Sequence, residues 1–179
     1  MTAKTTEPTR LFLEFSRHQL LQEFWTRMRE NVASLTEEEL WWRPNPACNS
    51  IANLMLHLNG NVRQWLISSF THEPFPRNRP AEFSATEGAV SRTELLTLLD
   101  ATMRDSDAVL VRLTDADLTT TYAIQENSVT GLEAIYHVVE HFAMHYGQIL
   151  YLIKSQHGRE PGFYRELNAS GQIPAGEAK

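Results

Sequence analysis

Three of the chain's seven histidines fall in one short stretch, "HVVEHFAMHYGQIL", from His137 to Leu150. His137, His141 and His145 follow one another at intervals of four. On a helix, that interval brings side chains to one face with Cβ atoms about 5–6 Å apart. Two imidazoles so placed can converge on one divalent ion, as i,i+4 histidine pairs on other helices do. Two are too few for a catalytic zinc-like site, so a third ligand must come from elsewhere. His57, in "NLMLHLNGN", is the candidate.

A helical wheel separates these residues. At about 100° per residue, Ile135, Val138, Phe142, Tyr146, Ile149 and Ile153 fall in a narrow apolar arc. From the middle of that arc His145 lies about 80° away, His141 about 120° and His137 about 160°. His141 and His145 are therefore expected beside the core. His137 is expected to face outward and to be dispensable for metal binding. The same geometry puts His57 about 120° from its own core direction. It falls on a helix flank, in a polar stripe of Asn53, His57, Asn61 and Gln64. Flanks of two adjacent helices can meet at the rim of a bundle and form a pocket.

The remaining candidates have plainer readings. His18 is in step with Leu21 and is expected as a satisfied core histidine, with support of a metal ligand as the alternative. His72 and His157 read as loop and helix-end residues. Trp25 and Trp65 read as core, and Trp41 and Trp42 as cover for one end of the bundle. Cys48 reads as a buried bystander, and Glu37, Glu38 and Glu39 as a solvated cap. Asn61, Glu140 and Gln148 can orient groups near an ion or simply decorate a helix surface, and no catalytic residue is assigned.

Four long helical patterns must position these side chains. The first runs over about 9–33, with Leu21, Phe24, Trp25, Met28, Val32 and Leu35 on its apolar stripe. Thr36 with Glu39 can open one or two further turns. The second runs from Ser50 or Asn49 to about Phe70, and the third opens at Ser91 with Glu94. The fourth opens at Thr130 with Glu133 and ends before Gly158. "THEPFPRNRPAEFSATEGAV" holds three prolines and reads as a long loop. "TTTYAI" reads as a short extended piece. The expected fold class is all-α, a four-helix bundle with long inter-helix connections.

Bulk properties limit the function. The chain has 179 residues, 42% hydrophobic and 21% charged, which suits one globular domain over 1–179. Its core is expected over about 9–157, with a tail at 158–179 that frays. A net charge of −6 argues against nucleic-acid partners, which need a basic patch. No apolar run is long enough to span a bilayer, and the polar N-terminus does not read as a secretory signal. The one cysteine fits a reducing cytoplasm, so the "NAS" at Asn168 is discounted as a glycosylation acceptor. There is no nucleophilic serine motif, phosphate-binding glycine loop or dinucleotide fingerprint. A metal has to carry any chemistry.

Taken together, "WRP" at Trp42, Arg43 and Pro44, the helix "SIANLMLHLNGN" and the late "HVVEHFAMHYGQI" resemble the DinB-like superfamily, also described as YfiT-like metal-dependent hydrolases. The resemblance covers about Leu11 to Lys154. It rests on a histidine in the second helix and an HxxxH followed by "GQ" in the last, here His57, His141, His145, Gly147 and Gln148. It implies a four-helix bundle, often a homodimer, with a three-histidine site for a divalent metal, zinc or nickel, completed by waters. A histidine that often precedes the last ligand is Met144 here. The resemblance implies a small-molecule substrate and a thiol S-transferase-like enzyme, with a low-molecular-weight thiol as co-substrate. The alternatives are a hydrolase with metal-bound hydroxide as nucleophile, or a non-catalytic metal- or ligand-binding stress-response protein.

Overall fold

Most helices among the described residues begin where a short polar side chain accepts from one of the first free backbone N–H groups. The computed structural model describes residues 5–158, so the expected fraying tail and Asn168 lie outside the described residues. Helix α1 is α-helical over Glu7–His18, wound with the wider π turn over Gln19–Thr26, and α-helical again over Arg27–Ala33. Helix α2 spans Glu37–Trp41. Helix α3 runs over Ile51–Val62, continues with π turns over Arg63–Ser68 and closes at Ser69–Thr71. Short α4 (Arg79–Ser84) precedes long α5 (Arg92–Leu110) and short α6 (Asp115–Thr119). Strands β1 (Thr121–Ile124) and β2 (Asn127–Thr130) lead into α7 (Gly131–His157).

The caps are local and behave as their sequence patterns predict. Thr36, Ser50, Ser91 and Thr130 each accept from the backbone three residues on. Glu39, Asn53, Glu94 and Glu133 return the bond to complete each box. Helix α7 ends on Gly158 at φ +61°, a left-handed conformation glycine adopts without a Cβ penalty.

The four long helices α1, α3, α5 and α7 make the all-α fold expected, and α3 is its hub. It packs against α4, α5 and α7, and between Ile51 and Val62 only Leu56 escapes full burial. Leu54, Met55, Leu58 and Leu66 meet Leu95 and Leu99 of α5, Phe142 and Ile149 of α7, and Met28 and Val32 of α1 in one apolar core. No helix among the described residues is long and apolar enough to cross a membrane.

Two sequence expectations need correction, those for the proline-rich connection and for His18, while the short extended piece is found where it was read. The proline-rich connection is not loop throughout. Asn78 caps α4 by accepting from the Ala81 N–H, Pro80 lies in its first turn, and the helix lies over the polar stripe of α3. The extended piece pairs antiparallel with β2, from Thr121 opposite Thr130 to Ile124 opposite Asn127. Tyr122 and Ile124 turn inward while Thr121 and Ala123 face out, the alternation of a half-buried strand. His18 is exposed beside Glu23 and not in the core. The helix widens from Gln19, so a wheel of constant period carries His18 onto the wrong face.

Candidate metal centre

The centre is assembled from α3, α4 and α7. His57 is 4% exposed, held at the middle of a helix that is buried on nearly every side. It was expected on a flank at the bundle rim. The wheel angle does not fail here; α4 covers the flank. Asn53, one turn earlier, donates through Nδ2 to the Glu82 carbonyl at 2.9 Å and the Ala85 carbonyl at 3.0 Å, docking the connection onto α3.

Docking brings two charges to His57 that the sequence reading missed. The Glu82 Oε2 lies 2.8 Å from His57 Nδ1. Arg77 donates to both Glu82 oxygens, at 2.6 and 2.8 Å, and to Gln64 Oε1 at 3.0 Å. The Arg77 and Glu82 side chains are 4% and 10% exposed. Burial works against the Glu82 charge, but the Arg77 guanidinium and the His57 N–H outweigh it and hold the carboxyl below its usual range. An ionised carboxylate only accepts, and its contact at 2.8 Å is shorter than that of the Arg77 Nη2 donor at 3.0 Å, so the proton is assigned to His57 Nδ1. That fixes the tautomer and leaves the Nε2 lone pair pointing away from Glu82. Gly60 makes room for the ion pair. A Cβ there would lie 2.7 Å from Arg77 Nε and closer still to Glu82 Oε1.

The lone pair points to α7. His57 Nε2 is 3.1 Å from His141 Nε2. His145 completes the group, with ring centroids 5.1 Å from His57 and 4.5 Å from His141. One ligand atom from each of the three lies within 4.8 Å of the others, so the cluster can hold a metal ion. Two nitrogens bound to one tetrahedral zinc at about 2.0–2.1 Å stand about 3.3 Å apart. The separation of the first pair is close to that figure. His145 Nδ1–H donates to Gln148 Oε1 at 2.9 Å, which leaves its Nε2 for the cluster. His141 Nδ1 is buried and has no partner among the described residues.

Neutral rings are the form a metal needs. Burial, and then the nearby charges of His145, His57, His137 and Arg77, push His141 down to about 3. Burial also lowers His145, against the bond it donates to Gln148, and lowers His137 against Glu140.

His137 departs from its expected position. It is half-buried rather than outward-facing, with its ring 4.1 Å from that of Trp65 and its Nε2 3.3 Å from Asn61 Nδ2. It stays outside the convergent set of three and lines the cavity beside it. Glu140 and Gln148 are exposed, while Asn61 is 3% exposed. The signal for α4 was present in "NRPAEF", a capping residue followed by a first-turn proline. The ion pair at Arg77 and Glu82 had no comparable pattern.

Comparison with known proteins agrees with this architecture. The model of the family described as "Protein of unknown function (DUF1572)" matches residues 8–164. No curated protein matches the chain. Among solved structures, a conserved protein from Enterococcus faecalis is similar at TM-score 0.69 and 20% identity, covering 82% of this chain and 97% of that one. The DinB-like protein YjoA from Bacillus subtilis is similar at TM-score 0.63 and 18% identity, covering 84% and 97%. A DinB-like protein from Bacillus cereus is similar at 0.56 and 18%, covering 82% and 91%. The fold is that of DinB-like proteins.

Proposed function

We propose, for a chain that belongs to the DUF1572 family, a divalent-metal protein whose ligands are His57, His141 and His145 and whose activity is thiol S-transferase-like. The observation that carries the metal is the convergence of three imidazole ligand atoms within 4.8 Å, one of them locked in the ligating tautomer by Glu82. Three histidines are the donor set of catalytic rather than structural zinc sites. When bound, a divalent ion acts as a Lewis acid and favours the deprotonated form of water or a thiol that it holds.

The chain's own residues do the rest. A cavity of about 490 Å³ opens on His57 and His141 and is walled by Asn61, Trp65, Arg79 and His137. No serine, threonine, cysteine or lysine among the described residues lines it. The nucleophile must therefore arrive with a ligand or be water, which supports an external thiol as co-substrate. One observation favours the hydrolase alternative. His137, lowered by burial, sits neutral against the cavity and can accept a proton. Zinc or nickel, a cytoplasmic location and a homodimer remain part of the proposal. Tyr136, Met144 and Tyr151 expose apolar surface on α7 that a second copy can cover, and light scattering reads the mass.

The test is metal analysis of purified wild type beside His57→Ala, followed by turnover of an electrophile panel with and without added thiol. Stoichiometric metal in the wild type and its loss in His57→Ala are expected, with thiol-dependent turnover. A wild type free of metal under metal-replete conditions overturns the reading. Ester or amide turnover without thiol transfers it to the hydrolase.

A further inference from the structure

The cavity beside the imidazoles carries groups that ion binding leaves unused. Asn61 lies on its buried side. Its Nδ2 faces His137, and its Oδ1 has no hydrogen-bond partner among the described residues although the side chain is 3% exposed. A buried acceptor left open costs free energy, so a ligand N–H or O–H is favoured there.

Arg79 stands at the lip. Its guanidinium lies over the Phe83 ring, 5.1 Å from the centroid, and Phe83 in turn lies 4.7 Å from the His57 ring. One aromatic ring therefore separates this charge from the imidazoles. Arg77 is neutralised by Glu82, whereas Arg79 is exposed and makes no ion pair among the described residues. Trp65, its ring tilted 39° against that of His137, gives the cavity an apolar wall. Across the opening stands exposed Glu126, on the β1–β2 turn, the acid that remains once Glu82 is counted with Arg77.

We propose that this cavity binds a small organic carboxylate carrying an N–H or O–H donor a few bonds away. The carboxylate pairs with Arg79, the donor meets Asn61 Oδ1, and the ligand's reactive group lies toward His57 and His141. One unpaired guanidinium facing one acid suits a monoanion and not a polyphosphate. The proposal rests on the reading of the three histidines as the reactive end. N-acetylcysteine meets every requirement, with a thiol, an amide N–H and a carboxylate. N-acetylalanine meets all but the thiol and so reads the pocket alone.

The experiment titrates N-acetylalanine, its neutral methyl ester and N-acetylcysteine into wild type and Arg79→Gln by calorimetry, with metal content measured on the same samples. Arg79 is exposed, so the variant keeps the fold. Arg79→Gln is expected to weaken both acids by about tenfold or more, the scale of one charge-assisted contact. The ester should bind both proteins equally and more weakly than the acid binds wild type. Glu126→Gln should tighten the acids by removing a like charge. Equal affinity of acid and ester in wild type, equal affinity of the acid in wild type and Arg79→Gln, or no binding at tens of millimolar overturns the proposal. Discrimination by Arg79 in protein that carries no metal upholds the pocket while the metal reading falls. Stoichiometric metal without discrimination does the reverse.

Discussion

His57 on α3 and the pair His141 and His145 on α7 face the same point from opposite conditions. His57 is buried, its Nδ1 fixed by a carboxylate that is itself clamped by a guanidinium. The α7 pair is half-buried; His141 Nδ1 has no partner among the described residues and His145 leans on an exposed glutamine. One side is thus set before any ligand arrives, and the other can adjust to it. An orienting partner matters most where its own position is enforced by packing.

The largest break in this contrast is Glu82→Ala. It strips the carboxylate from His57 and leaves Arg77 buried and unpaired, a change worth about 3–5 kcal/mol. Urea unfolding of the metal-free protein should register that loss. Glu82→Gln keeps the shape and is expected to lower metal affinity about 10–100-fold, the usual cost of removing such a partner. Chelator competition measures it, and an equal loss in Gln148→Ala would erase the distinction between the two sides.

Gly60→Ala should come next. Its Cβ would press on the Arg77–Glu82 pair, and overpacking of this kind costs about 1–3 kcal/mol. Thermal unfolding should fall accordingly, with metal affinity falling beside it. An unchanged affinity would mean that His57 does not depend on where Glu82 stands.

A more gradual effect is expected with pH. His141 is held down to about 3, while an unfolded histidine titrates near its ordinary value of about 6.5. Between those values the unfolded chain binds the extra proton, so stability is full above the upper value and drains away as pH falls toward the lower. His137 and His145, also lowered, act with the same sign. The denaturation midpoint of metal-free protein should therefore drop below pH 6.5, and His141→Gln should flatten the slope. A wild-type profile with no slope in that window contradicts the burial of these rings.

Least of all should change in His137→Ala, which is expected to keep its metal because the ring lies outside the convergent three. Loss of metal there, with retention in His145→Ala, would reassign the ligand pair.

What could be read from the chain beforehand was whatever neighbours in sequence decide. Ser50, Ser91 and Thr130 open helices because their partners sit three residues on, and the apolar stripes of α3 and α7 follow the helical period. The spacing of His141 and His145 was legible for the same reason. The surroundings of His57 were not, because they are set by α4, twenty-five residues distant at Glu82. The wheel gave His57 its angle but not what lies opposite. His18 and His137 went astray similarly, one through a change of helical pitch and the other through Trp65 and Asn61 on a neighbouring helix.

Arg77 and Glu82 are close in sequence as well as in space, and their charges cancel within the segment that lies on α3. The connection can therefore settle on the bundle as an electrically neutral part, spared much of the desolvation penalty of a lone ion. Such a part is exchangeable. A graft of residues 72–90 between relatives would carry its own counter-charge, leaving the recipient interior balanced while changing what surrounds the imidazoles.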